Sequence, residues 1–383
     1  MKKYDVAIIG GGPAGSTAAL NLNKLGFEVC LIEKKSFPRE TLCGEFLSRE
    51  VTSNLQRLDL FEKFKLLQPN PITSFKFYYD NGASVKSDLN FIGYGLKRGR
   101  FDNFLLNSVK EKGIEVLQPV EVKEIKFRND NYRITIQDGF FLSEISADKV
   151  IAAYGRQNIL DKKLNRMFLN NRSYLNGIKF HIDDSAFNNL EKDTIKIFTS
   201  DEIYCGINTV DENKVTVCFL EKRKSSLAHP REQLKKLMRT NKSFGNLFNE
   251  SVFKVLEDLP VYGTGNIYFG NRELVKDGIY MIGDAAAVIA PLAGDGIGMA
   301  VESARLVADV FHRQRFEKLD DLETEKIYYK EWRSLFNKRI STAKAVQKII
   351  LNSYSRKIGF HLVKTFPGII RKMIHATRGQ KHN

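Results

Sequence analysis

Val6-Ala7-Ile8-Ile9-Gly10-Gly11-Gly12-Pro13-Ala14-Gly15, continuing to Glu33, decides how this chain folds. The four apolar residues are too few for a helix and rich in β-branched side chains, which predicts a buried parallel strand. Gly10 to Gly15 fits G-x-G-x-x-G, Ser16 to Leu25 reads as a helix, and Glu28 to Ile32 as a second strand ending at Glu33. Gly10 permits a turn that a Cβ would block, Gly12 lets the backbone approach a pyrophosphate, and Gly15 lets helix and strand pack closely. Pro13 and Ala14 lead into the helix, whose unpaired N–H groups and partial positive charge suit phosphates. Glu33 follows Gly10 by 23 positions, where an acid can accept hydrogen bonds from a ribose. Strand, glycines, helix, strand and acid in this order point to dinucleotide binding. An ordinary tight βα turn is the alternative.

Composition bounds the rest. With 383 residues, 43% hydrophobic and 27% charged, the chain can bury a substantial core, in two domains by length. No apolar run approaches the ~18 residues of a spanning helix. The short run after Met1-Lys2-Lys3 is no secretory signal. Cys30, Cys43, Cys205 and Cys218 are scattered without a C-x-x-C pair, which predicts a cytoplasmic protein with neither disulfide framework nor metal site. Of the net charge of +15, +11 falls between Glu331 and Asn383, where 12 Lys and Arg meet one acid. Such a localised basic, apolar-rich tail suggests a docking surface, and no base-reading element argues for nucleic acid.

Three further stretches carry chemistry. In Pro38-Arg39-Glu40-Thr41-Leu42-Cys43-Gly44-Glu45, Pro38 and Gly44 predict a structured loop, with Glu45 to Leu58 helical. Cys43 could be a weak acid, a packing residue or neither. Arg98 opens a predicted helix in Arg98-Gly99-Arg100-Phe101-Asp102-Asn103-Phe104-Leu105. It could neutralise a pyrophosphate, with a surface ion pair as the alternative, and Asp102 could tie the helix to the loop. Finally, the strand Gly278 to Ile282 ends in Gly283-Asp284, and Pro291-Leu292-Ala293-Gly294-Asp295-Gly296-Ile297 opens a long helix through about Phe311.

These stretches resemble flavoproteins of the p-hydroxybenzoate hydroxylase superfamily, over roughly residues 4 to 312. The Pro38–Glu45 loop resembles the P-R-x-x-x-C-G-E loop of its geranylgeranyl reductase branch, and Arg98–Leu105 its R-x-x-[LF]-D-x-x-L signature. The glycine turn and the Gly283-Asp284 element together match its two-part FAD site. The resemblance implies that Arg39, Cys43 and Gly44 run beside the flavin, that the Val122 backbone meets the adenine, and that Asp284 bonds a ribityl hydroxyl. Pro291, Gly294, Gly296 and Ile297 would then set a helix N-terminus against the flavin ring. Relatives carry Ala-Asp-Gly where this chain has Ala153-Tyr154-Gly155, leaving Gly155 as the remnant. Of a Y-x-W-x-F-P element only Tyr204 survives, as a pocket wall.

The predicted fold is α/β: a discontinuous FAD-binding Rossmann domain (1–70, 98–158 and 270–312), an inserted antiparallel-sheet substrate domain (71–97 and 159–269) and a basic C-terminal helical extension (313–383). The expected chemistry uses NAD(P)H or another donor to reduce FAD, then reduces a C=C bond of an isoprenoid or other lipid. Hydroxylation of an aromatic or polyketide substrate with O₂ is the alternative, and a non-catalytic flavin-loaded carrier at a membrane a third. Halogenases share the cradle, but their W-x-W-x-I-P segment is missing from a chain with one tryptophan. The tail either lies on the inner face of an anionic membrane or packs on the core with a solvated basic face.

Overall fold

The computed structural model describes residues 1–79, 82–171, 173–200, 203–222, 229–366 and 368–379. In chain order, β1 (Lys3–Ile9), α1 (Pro13–Lys24) and β2 (Val29–Ile32) form the predicted βαβ unit, with β1 and β2 parallel. A pair follows, β3 (Asn70–Tyr78) and β4 (Ser84–Gly95), then α2 (Arg98–Glu111), β5 (Glu115–Leu117), β6 (Glu121–Arg128), β7 (Asn131–Asp138) and β8 (Phe141–Ala152). Next come β9 (Leu175–Asp183), β10 (Thr194–Ser200), β11 (Ile203–Thr209), β12 (Lys214–Lys222) and β13 (Ile279–Met281). Four helices end the chain: α3 (Gly296–Glu317), α4 (Asp321–Leu351), α5 (Ser353–Thr365) and α6 (Gly368–Ala376).

Two large sheets result. The first runs β13-β8-β1-β2-β5 in parallel, extended beside β13 by Val275–Lys276 and beside β8 by the antiparallel β6 and β7. Its centre is a continuous apolar run, with Val6, Ala7 and Ile8 wholly buried, as a parallel strand covered on both faces requires. The small residues Ala18, Ala19 and Ala304 are also wholly buried where α1 packs on α3. Burying each Val or Ile here contributes roughly 1.5–3 kcal/mol before entropy is subtracted. The second sheet runs β9-β12-β11-β10-β3-β4, antiparallel except for the β10–β3 pair, with Phe46–Leu47 on its far edge. Its own apolar layer, including Phe180, Phe198 and Phe219, forms a buried cluster separate from the first sheet's core.

Three local expectations shift. Helix α1 begins at Pro13 rather than Ser16, because Gly12 is extended and acts as its cap, and Pro at the first helical position gives up no needed N–H. The stretch from Glu45 is not helical until Arg49: Glu45 sits at φ +58°, a left-handed conformation that no right-handed helix can run through, and Phe46–Leu47 pair with β4 instead. Helix α3 continues past Phe311 to Glu317. Asp80 and Asn81, between β3 and β4, where Asp80-Asn81-Gly82 predicts a turn, lie outside the described residues.

Helix α4 opens with a capping box between Asp320 and Glu323 and buries Tyr328, Trp332 and Phe336 at four-residue spacing. That stripe carries the basic tail back across the molecule, so that α5 and α6 arrive beside the gap between the sheets.

Candidate active site

The first glycine turn closes as its spacing requires. Gly10 has φ +110°, and a Cβ there would lie 2.6 Å from the Ala153 carbonyl oxygen. A Cβ on Gly15 would lie 1.8 Å from the Gly10 carbonyl oxygen, so α1 and β1 can meet only through a glycine. At Gly12 the result is the opposite: an added Cβ meets nothing within 4 Å, and the same holds for Gly44 and Gly155. All three border one cavity of about 900 Å³. Space is therefore kept on the side where a ligand backbone would lie. Glu33 ends β2 buried, its carboxylate accepting from the Gly11 amide at 2.7 Å and the Lys35 amide at 2.8 Å. That fixes the acid at the cavity wall beside Val122.

The loop through Cys43 is held from behind by a buried charge network that no local pattern announces. Glu45 accepts from Thr216 and pairs with His181, each at 2.5 Å, and it accepts from Lys179 and the Arg98 amide, each at 2.9 Å. Lys179 reaches Glu40 as well, at 2.7 Å. Burial pushes the Glu45 carboxyl up, but His181, Lys179 and Thr216 outweigh it and hold the group down at about 2. For Lys179, burial pulls down while Glu45 and Glu40 more than offset it, leaving it above the ordinary lysine value. Glu40, Glu45 and His181 bring ligand atoms within 4.8 Å of one another, and the Lys179 ammonium supplies the positive charge there. Cys43 borders the cavity half-buried, its Sγ accepting from the Glu45 amide at 3.3 Å. Arg98 also borders it, but the side chain forms a two-pronged pair with Asp102 at 2.8 and 2.9 Å. This pair is nearly buried and lies within the helix itself, four residues apart, while the hydrogen bond from the Arg98 amide to Glu45 is what joins the helix start to the loop.

The second turn packs against the first. Gly283 has φ +59°, its amide donates to the Ser303 hydroxyl at 2.9 Å, and its ideal Cβ position lies 2.9 Å from the Ala14 Cβ. Asp284 follows at the cavity wall, then Pro291, Gly294, Gly296 and Ile297, which set the N-terminus of α3 against the same space. Behind this turn lies Asp295, wholly buried, its carboxyl pushed up to about 8 by burial and by Glu50, against Arg378 and Arg339. The end of the tail docks here: Arg378 donates to the Gly294 carbonyl at 3.0 Å, and the Gly379 amide to Glu50 at 2.8 Å. Arg272, also on the wall, donates to the Arg156 carbonyl at 2.7 Å, and burial pulls it down to about 10.

One cavity thus gathers Gly10, Gly12, Pro13, Ala14, Glu33, Arg39, Cys43, Gly44, Arg98, Val122, Gly155, Asp284 and the α3 turn, while Gly15 and Gly283 stand behind it as packing positions. Tyr204 borders it from β11, buried, with its phenol raised by burial far above the usual range. Tyr154, standing where relatives have Asp, borders the cavity and donates its hydroxyl to Asp161 at 2.8 Å. Sequence reading missed three contributions: Lys179, His181 and Thr216 on the second sheet, which hold Glu45, Arg272 on the cavity wall, and the walls supplied by Phe360, Val363 and Met373 of the tail. Only the tail carried a signal, its apolar periodicity, which says a face is buried but not against what.

The spacing of the two turns, each opening a helix toward one shared space, is that of a cradle for a long dinucleotide. The chain is 25% identical over 342 residues to a pyrrole-2-carbonyl-[peptidyl-carrier protein] chlorinase of Pseudomonas fluorescens, spanning 80% of this chain and 75% of that protein. It is 26% identical over 369 residues to a digeranylgeranylglycerophospholipid reductase of Methanothermobacter thermautotrophicus, spanning 91% and 88%. The match to a flavin-dependent halogenase of Armillaria mellea is partial, over 46% of this chain and 35% of that protein. The fold is shared with p-nitrophenol 4-monooxygenase from Pseudomonas putida, with a TM-score of 0.79 over the whole of both chains at 16% identity. Residues 3–312 match the FAD binding domain family, so the chain that carries this double cradle belongs to that family of flavoproteins.

Proposed function

We propose that this FAD-dependent oxidoreductase reduces a C=C bond in an elongated apolar molecule, an isoprenoid chain or another lipid, with NAD(P)H as electron donor. The observation that carries this reading is the cavity beyond the cradle. The same cavity is also walled by Phe77, Ile197 and Leu220 of the second sheet, by Phe269, and by Ile350 and Phe360 of the tail. Such a wall excludes water and offers a long substrate dispersion contact but few polar anchors. FAD bound in the cradle supplies the two-electron chemistry. The chain's own residues do the rest: Gly12 and the α1 amides take the pyrophosphate, Glu33 the ribose and Asp284 the ribityl chain. The N-terminus of α3 favours negative charge on the ring. Adding hydride to a double bond requires a proton as well, and we assign that role to the Cys43 thiol, which borders the same cavity. The coverage of the archaeal lipid reductase along nearly the full length of both chains supports the same branch.

Hydroxylation is the second reading, favoured by the fold shared with p-nitrophenol 4-monooxygenase. The test is to supply NADPH and geranylgeranylated lipid to the yellow protein with and without air, and to weigh the product. A product that gains two hydrogens per double bond in the absence of air supports reduction. A product that gains an oxygen atom, or appears only in air, refutes it. Cys43→Ser is expected to lose most turnover while retaining FAD.

A further inference from the structure

Helix α5 has two faces with different partners. On the inner one, Phe360 stacks on Tyr79 at 4.9 Å between ring centres and packs on Phe77 at 6.1 Å, while Val363 borders the apolar chamber. On the outer one, Tyr354, Ile358 and Leu362, followed by Phe366 just past the helix end, recur every four residues, exposed to 76%, 47%, 47% and 60%. Residues four apart share a helix side, so these make one apolar stripe facing solvent. Lys357 and Lys364 stand exposed beside it, and no acidic residue follows Glu331 in the sequence. Leu362 belongs to both faces, because it is half exposed and also borders the cavity.

We propose that α5 docks on an anionic lipid bilayer, with Tyr354, Ile358 and Phe366 in the headgroup–acyl boundary and Lys357 and Lys364 against lipid phosphates. Apolar groups alone would suit many surfaces. An acid-free, lysine-flanked stripe on a helix that walls an apolar chamber suits a negatively charged one that also holds apolar molecules. Leu362 then marks the portal by which substrate leaves the bilayer for the chamber. That last step rests on the lipid reading of the cavity, whereas the docking does not.

The test uses the full-length, FAD-loaded protein and phosphatidylcholine vesicles with and without phosphatidylglycerol, sedimented at low and high salt. Binding is expected only to the anionic vesicles, weakened by salt. Ile358→Glu/Phe366→Glu and Lys357→Glu/Lys364→Glu should each weaken it roughly tenfold or more, while Lys357→Arg/Lys364→Arg keeps it. FAD content and thermal melting, measured on every variant, should match the parent and so separate lost docking from lost folding. If the parent does not sediment with anionic vesicles at low salt, or a correctly folded Ile358→Glu/Phe366→Glu binds as well as it does, the proposal is overturned and the stripe belongs to a protein partner. Neither result touches the product-mass test of the chemistry.

Discussion

Replacing Glu45 by Gln removes one negative charge from a site where the side chains of Glu45 and Lys179 are wholly shielded from solvent. The amide keeps the volume, so the change reports the electrostatics rather than a cavity. Lys179 would retain Glu40 at 2.7 Å, but Glu40 is partly exposed and cannot match the lost contact. His181 and Thr216, each 2.5 Å from the Glu45 carboxylate, would face an amide that offers one oxygen in place of two. Leaving a buried charge short of its partner costs about 3–5 kcal/mol. The lower end, about 3 kcal/mol, is expected here because Glu40 compensates in part. Denaturant unfolding at fixed FAD concentration, followed by circular dichroism, measures it. Glu45→Gln/Lys179→Met, which removes both charges, should recover part of the loss. A single-variant loss below about 1 kcal/mol would refute the view that this network holds the Cys43 loop in place.

The same carboxylate sets a pH dependence. Its folded-state value of about 2 lies below the unfolded 4.5, so its contribution is full above 4.5 and disappears as pH falls through about 2. The stability gap between the parent and Glu45→Gln should therefore narrow as pH falls across that window, as acid titration of both proteins would show. Gly15→Ala should fold poorly or lose FAD, because its Cβ would overlap the Gly10 carbonyl oxygen at 1.8 Å; retention of FAD at parental affinity would show that α1 can move away from β1.

Much of this was legible in the first residues of the chain. The βαβ unit and its glycines lie within one short stretch, so local sterics and periodicity determine them, and Gly10 and Gly15 stand where their missing Cβ atoms are needed. The Gly283-Asp284 turn was readable for the same reason. Helix boundaries were not, since the start of α1 depends on the extended Gly12, and Glu45 adopts φ +58° where tertiary bonds hold it. The partners of Glu45 were invisible because they are far away in sequence: His181 lies 136 positions on and Thr216 171. Alternation along β9 and β12 says that a face is buried, but it does not say that a lysine and a histidine there meet an acid from a loop. Arg378 reaching Gly294 is the same kind of fact, fixed only when α4 brings the tail back.

The account rests on two turns, at Gly10–Gly15 and at Gly283–Ile297, holding one FAD between them. Titrating the ligand-stripped protein with FAD tests this most directly, with Asp284→Ala beside it. The parent is expected to bind one FAD per chain and turn yellow, and Asp284→Ala to lose the cofactor on gel filtration while remaining folded. A folded parent that stays colourless with excess FAD, or an Asp284→Ala that stays fully yellow, would contradict it.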